Sequence, residues 1–367
     1  MKEKQFQQSA LKHSLTVFFK DALRVAVTNP SQAIAFVRTL IWLKRASKKR
    51  ELWKKQGIQI PPIIIWSITN QCNLQCKGCY NQSFFPNSKE EMGKEEMRRI
   101  TQEARDLGVS FFVLAGGEPF MKPEILSIMK DYPEIIFMVF TNGLLVNDEL
   151  IARFKKQRNV VPLLSLEGYA EETDKRRGAG TYEAIVNTMK KMKKNHLFFG
   201  TSLTLTRSNF QVLTGEPFIK TVTFSGCKFF LFIEYTPTCE GTEDWVLTED
   251  QRDQVMDLMK SYRSCYPALF IAVPWDEDDV GGCLSAGRGF VHINARGDLE
   301  PCPFAPFSDV NIRNSSLKEA FQSEFLKQIR QVPELSRETG GGCVLWKERQ
   351  RVVAILQEVT DHKVRIK

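Results

Sequence analysis

From residue 60 onward the chain alternates short apolar runs with amphipathic stretches. The runs occupy residues 63–69, 111–115, 135–141, 160–166, 198–205 and 229–235, each of strand length and largely without the polar alternation of a half-exposed sheet. Between them, apolar residues fall three and four apart. Met97, Ile100, Ala104 and Leu107 mark one side of a helix over 92–107, and residues 182–192 repeat the pattern. Six strand–helix units in series predict parallel strands, because parallel neighbours need a helical crossover. The expected fold is α/β: a partial (β/α)6 barrel related to the eight-stranded TIM barrel, with its chemistry at the carboxyl ends of the strands.

Both flanks depart from this rhythm. Residues 1–57 read as two helices broken at Asn29-Pro30, with Ser31 placed to cap the second. After a further helix over 248–266 the pattern gives way to turns: Gly281-Gly282, Gly287, Gly289, Arg296-Gly297-Asp298 and Gly340-Gly341-Gly342. The expected organisation is a helical extension over 1–57, a barrel over 58–270 and a small loop-rich module over 271–367.

Composition and charge narrow the picture. A chain of 367 residues that is 43% hydrophobic can bury a full core, which excludes a disordered protein. Its net charge of +8 suggests a polyanionic partner, but residues 1–55 alone hold 13 Lys and Arg against 3 acidic residues. The rest of the chain is therefore slightly acidic, and the body has no general attraction for nucleic acid.

Residues 33–43 are apolar except for Arg38 and Thr39, and Lys44-Arg45 and Lys48-Lys49-Arg50 follow at once. Such a segment is too short to span a bilayer but suits an interfacial helix, and residues 15–27 have similar character. The competing reading packs both helices on the outside of the barrel. The nine cysteines are clumped at metal-ligand spacings and the N-terminus lacks the order of a signal peptide. A cytoplasmic protein, with peripheral contact at the inner membrane face, is expected.

The chemistry concentrates just after the first run, in Thr69-Asn70-Gln71-Cys72-Asn73-Leu74-Gln75-Cys76-Lys77-Gly78-Cys79-Tyr80. Three thiolates on a short loop can bind three corners of a 4Fe-4S cube and leave the fourth iron free to chelate a small molecule. A structural zinc site would need a fourth protein ligand, and the only histidines are the distant His13, His196, His292 and His362. At the end of the second run stands Ala115-Gly116-Gly117-Glu118-Pro119, where two glycines allow close backbone approach and carbonyls can accept from an ammonium group. Thr141-Asn142-Gly143 closes the third run, Ser165-Leu166-Glu167-Gly168 the fourth, and Asp174 to Gly178 follows.

The CxxxCxxC loop and its following aromatic resemble the defining segment of radical S-adenosylmethionine (radical SAM) enzymes. The later segments resemble that family's GGEP, TNG, SxDG and DxxRG motifs in order, over about residues 60 to 345. The resemblance implies that Cys72, Cys76 and Cys79 hold a 4Fe-4S cluster. It also implies that Tyr80, Gly116, Gly117, Glu118, Pro119, Asn142, Ser165 and Arg177 bind S-adenosyl-L-methionine, with Arg177 a candidate for its carboxylate. Glu167 replaces the family's usual aspartate, which leaves its role open. The implied reaction is reductive cleavage to a 5′-deoxyadenosyl radical that abstracts hydrogen from a peptide, lipid or small molecule. Oxidation, crosslinking, epimerisation or carbon–carbon bond formation would follow. A flavodoxin or ferredoxin is the implied electron donor.

Farther along, Cys283, Gly297 and Cys302 obey Cys-x13-Gly-x4-Cys, and Cys343 follows. Residues 290–299 alternate about Arg296-Gly297 as a hairpin does. The spacing resembles the twitch or SPASM modules of the same family and implies a second, auxiliary iron–sulfur cluster on Cys283, Cys302 and Cys343. Cys239 or Cys265 could serve as fourth ligand, or the fourth iron could be open and bind substrate, while a cluster-free hairpin is the alternative for the whole module; small buried hydrophobes is the plainer reading for Cys227, Cys239 and Cys265. Two other functions fit less of the sequence: a non-enzymatic iron–sulfur redox or iron sensor, and an RNA-modifying enzyme that holds phosphates with its basic extension.

Overall fold

A computed structural model describes residues 30–85, 90–278, 281–337 and 341–365. The first helix of the basic extension and residues 15–27 lie outside them. Helix α1 (Pro30–Lys55) precedes a chain of alternating elements. These are β1 (Ile63–Thr69), α2 (Lys94–Leu107), β2 (Phe111–Gly116), α3 (Glu124–Asp131), β3 (Ile136–Thr141), α4 (Asp148–Lys156) and β4 (Val160–Leu166). Then come α5 (Ala170–Arg177), α6 (Thr181–Lys194), β5 (Gly200–Leu205), α7 (Glu216–Phe224), β6 (Phe229–Glu234), α8 (Glu249–Cys265) and β7 (Leu269–Val273). A hairpin of β8 (Phe290–Ile293) and β9 (Leu299–Glu300) leads to α9 (Glu324–Gln331) and α10 (Arg349–Arg365).

The strands form one sheet in the order β7-β6-β5-β4-β3-β2-β1-β8-β9. All neighbours run parallel except β8 and β9, and β7 and β9 are edges, so the barrel is partial and open. The six expected strands are joined by a seventh, β7, which crosses the expected boundary at residue 270. Its five residues lie too close behind α8 to stand out as a separate run. The module is not set apart from the barrel either, because β8 pairs in parallel with β1 from Ile63–Phe290 to Trp66–Ile293.

The alternation within strands sorts two faces. Ile64, Trp66, Phe112, Leu114, Phe137, Val139, Phe230 and Phe232 are fully buried beneath the helices. On α2, the predicted stripe of Met97, Ile100, Ala104 and Leu107 is buried against them. Gly108 ends that helix in the left-handed conformation, and α1 packs so closely there that a Cβ would lie 2.7 Å from the carbonyl of Ala46. Arg50 donates to Ser110 Oγ at 2.9 Å and Lys49 to the carbonyl of Arg105 at 3.1 Å, fixing α1 at the end of the barrel where the strands begin. Ser31, expected as a cap, falls inside the first turn of α1. No described helix is long and apolar enough to cross a membrane.

Candidate functional site

The cysteine loop leaves the carboxyl end of β1 and is gripped on several sides. Gly117 N donates to the carbonyl of Thr69 at 2.7 Å and Glu118 N to that of Gln71 at 2.8 Å. A Cβ on Gly117 would stand 2.0 Å from the Gln71 oxygen, and one on Gly116, whose φ is +102°, 2.4 Å from the Thr69 oxygen. The close approach that these glycines permit is therefore to the cysteine loop itself. From the other side, Glu91 accepts from Thr69 Oγ1 and Asn70 N at 2.9 and 2.7 Å, and from Lys122 at 3.1 Å. Asn142 donates to Asn73 Oδ1 at 2.7 Å.

Glu118 is buried and accepts from Phe120 N, Thr141 Oγ1 and Asn142 N, at 3.2, 2.8 and 2.8 Å. Burial pushes its carboxyl up, and these bonds work in the opposite direction. It joins the ends of β2 and β3 beneath the loop. Pro119 is buried in the short 3-10 turn that follows.

Glu167 and two arginines form the opposite wall. Its side chain is 1% exposed, and Arg177 binds one oxygen at 2.6 and 2.9 Å. Arg176 approaches the other oxygen at 2.7 Å, an ion pair without hydrogen-bond alignment. Burial opposes the charge of Arg177, but Glu167 and the neighbouring Cys76 outweigh it and raise its pKa. Conversely, burial pushes the Cys76 thiol up while Arg177 and Arg176 draw it down. Arg177 is thus no solvated surface residue, and the acid that replaces aspartate holds it in place. Arg176, which sequence reasoning passed over, also exchanges backbone contacts with Lys77 of the loop.

Ser165 Oγ lies 3.1 Å from Ser202 Oγ, and both face a cavity of about 2180 Å³ that also contacts Cys72, Cys76, Cys79, Tyr80, Gly116, Glu118, Asn142 and Arg177. Tyr80 bonds to Ser67 and to the backbone of Gly116, and burial pushes its phenol up to about 12. Ser67 continues into a buried chain. Its Oγ is 2.8 Å from His292 Nε2, whose Nδ1 is 2.6 Å from Glu300, and Glu300 directly precedes Pro301 and Cys302. Tyr80 also meets Phe304 edge-on, so the cysteine loop and the hairpin are physically joined. No spacing rule links Ser67, His292, Glu300 and Phe304 to the cysteine loop, and sequence reasoning missed them.

The three module cysteines converge although Cys343 is far from the others in sequence. Cys302 and Cys343 share a hydrogen bond, which with burial pushes the Cys302 thiol well up. Burial and then the charge of Glu277 push Cys283 up to about 12. Glu234 fixes the approach to Cys343 by accepting from Arg252 at 2.8 Å and from Gly342 N.

Cys239 instead donates to the carbonyl of Cys79 at 3.7 Å, beside the first loop. Cys265 is exposed at the end of α8, just before β7 begins and so at the opposite end of the barrel. Glu277 is the acid whose charge reaches both Cys283 and Cys343. Cys227 is buried and donates to Phe229 O, as a small hydrophobe would, whereas Cys265 is not buried at all.

All nine cysteines are free of disulfides. An all-thiol donor set suits iron–sulfur rather than a hard cation. The first triad, with arginines beside Cys76 and hydroxyls facing the same space, fits a cluster together with a carboxylate-bearing ligand.

Comparison with known proteins agrees with the geometry. Residues 66–211 match the family model of the radical SAM superfamily. The chain is 23% identical over 309 residues to an AdoMet-dependent heme synthase of Methanosarcina barkeri, covering 76% of this chain and 88% of that one. It is 25% identical over 264 residues to the mycofactocin maturase MftC of Mycobacterium tuberculosis, covering 68% and 66%. The fold is shared with Streptococcus suis SuiB at a TM-score of 0.63 and 19% identity, over 79% of this chain and 72% of SuiB. SuiB has also been solved with S-adenosylmethionine and with its precursor peptide SuiA. With its cysteine loop, glycine turn and arginine wall assembled at the carboxyl ends of a partial barrel, the chain matches the radical SAM superfamily over residues 66–211, and the relatives it resembles are synthases and maturases.

Proposed function

We infer that Cys72, Cys76 and Cys79 hold a 4Fe-4S cluster and that the adjoining cavity binds S-adenosylmethionine and the substrate. The observation that carries this is the junction of three free thiols, the Glu167-anchored Arg177 and the paired hydroxyls of Ser165 and Ser202 on one cavity. When bound, a reduced cluster and S-adenosylmethionine supply a 5′-deoxyadenosyl radical that removes a hydrogen atom from the substrate.

The protein's share of the work is placement. Gly116, Gly117 and Glu91 hold the loop, while Arg177, kept charged and oriented by Glu167, is suited to a carboxylate. Ser165 and Ser202 offer hydroxyls that can donate and accept. Glu118 and Asn142 brace the strand ends behind these groups.

Cys283, Cys302 and Cys343 would hold an auxiliary cluster on the hairpin module. Residues 271–367 then act as a second metal-binding unit built onto the same sheet. An external flavodoxin or ferredoxin would deliver electrons. The peptide bound to SuiB and the maturase relative support a peptide substrate, while the heme synthase supports a small molecule.

Incubation of the reconstituted enzyme with S-adenosylmethionine and dithionite tests the reading. It predicts 5′-deoxyadenosine, and none forming from protein with a full complement of iron would overturn it.

A further inference from the structure

The interior of this barrel is only partly filled by its own side chains, of which Val161, Leu163, Phe229 and Leu269 are buried in a small apolar cluster. In a closed eight-stranded barrel the inward residues pack in layers and leave no pore. Here Ile65, Val113, Met138, Leu231 and Ile271 point inward and stay half-exposed, while their outward neighbours are fully buried. The space they enclose is the same cavity, about 2180 Å³. Ordinary small-molecule sites measure roughly 300–1,000 Å³.

The cavity runs the length of the strands. One end is the cysteine loop with Arg177 and Glu118, and the other is lined by Pro62, Phe111 and Leu269 at the strand starts and by Leu40, Leu43 and Lys44 of α1. Six or seven residues of strand make that distance about 20 Å. The chemistry of the wall changes along the way. Hydroxyls of Ser165, Ser202 and Thr204 lie toward the cysteines, aliphatic and aromatic side chains fill the middle, and the end at the strand starts carries Lys44 of α1 with Lys260 and Arg263 of α8, the last bound to Asp276 at 2.8 Å. Beside that basic end, Val37 and Ile41 are 54% and 47% exposed on α1.

From this we propose that the barrel lumen holds the long hydrocarbon chain of an anionic amphiphile, admitted beside α1, with its far end presented to the cysteine loop. An apolar channel of this length complements an extended acyl or isoprenoid chain, and Lys44 and Lys260 complement an acidic head group. The assignment rests on the functional reading above, which places the reacting end at the cysteines, and it names the substrate class for that site.

The test uses the full chain, anaerobically reconstituted and titrated with cis-parinaric acid, a straight-chain fatty acid whose fluorescence rises in apolar surroundings. Saturable binding is expected at about one probe per chain. Palmitate and geranylgeraniol are then compared as competitors, and the stronger one distinguishes an acyl from an isoprenoid source. Met138→Trp and Leu231→Trp obstruct the middle of the lumen without touching the cysteine loop. Each should weaken probe binding at least tenfold, while iron content and substrate-free formation of 5′-deoxyadenosine persist.

That second readout separates this inference from the radical chemistry, since either can fail alone. No saturable binding by the wild type, or equal binding by both folded tryptophan variants, overturns the proposal. Should the variants lose iron, photolabelling of the wild type with a diazirine-bearing fatty acid decides. Label on β3 and β6 supports a threaded chain, and label confined elsewhere, as for a protein that takes only peptides, contradicts it.

Discussion

The two cysteine triads solve one problem in opposite ways. Cys72, Cys76 and Cys79 lie within one loop, whose shape is imposed from outside by glycine amides, Glu91, Asn142 and the Glu167–arginine wall. Cys283, Cys302 and Cys343 come from separate turns, and they meet only because β8 pairs with β1 and Glu234 ties down the segment before Cys343. The first site is local in sequence and depends on its surroundings for orientation. The second is nonlocal and depends on the fold for its existence.

Perturbations should separate the two, and the largest effect belongs to the first triad. Replacing Cys72, Cys76 or Cys79 with Ala should bring 5′-deoxyadenosine formation to background and lower iron to about half, the amount of one remaining cube. Iron assay and product chromatography on the same sample check both. Loss of all iron would show that the second triad cannot load by itself.

Gly117→Ala comes next. The added methyl meets the Gln71 carbonyl, so the loop must move, at a cost of roughly 2–4 kcal/mol in stability. Thermal unfolding and cluster absorbance should fall together, and an unchanged melting temperature would contradict the tight packing described here. Cys302→Ala should again remove about half the iron but leave substrate-free cleavage of S-adenosylmethionine within a few-fold of wild type. Abolished cleavage would mean that the second triad supports the first through the Tyr80–Ser67–His292–Glu300 chain.

A smaller and more selective change is expected at Glu167. Removing the charge with Glu167→Gln leaves two arginines without their buried partner, a loss of roughly 3 kcal/mol, and should weaken S-adenosylmethionine binding about tenfold (~1.4 kcal/mol). Glu167→Asp keeps the charge and should recover most of that affinity. Equilibrium binding of the cofactor distinguishes the pair, and equal losses would show that side-chain length rather than charge matters.

How much of this was legible in the sequence follows from the same contrast. Six strands were readable because both of their faces meet apolar surroundings, and the first triad because its ligands share a loop at the end of one of them. The short β7 was not, and neither was the way the module extends the barrel sheet, since strand pairing between Ile63 and Phe290 leaves no mark on either segment. The glycine turn was found by its composition, but its partner was not. Only the structure shows that Gly116 and Gly117 press against the loop rather than standing open. Glu167 and Arg177 were both singled out, yet their bond depends on how α5 returns toward β4. The Ser67–His292–Glu300 chain joins strands that are distant in sequence, so no local pattern could have exposed it.

The account depends most on the first triad holding a cluster with one site open to S-adenosylmethionine. Electron paramagnetic resonance of the reduced Cys302→Ala protein, which isolates that cluster, tests this most directly. Adding S-adenosylmethionine should change the spectrum. An unchanged spectrum, or zinc in place of iron on Cys72, Cys76 and Cys79, would contradict it.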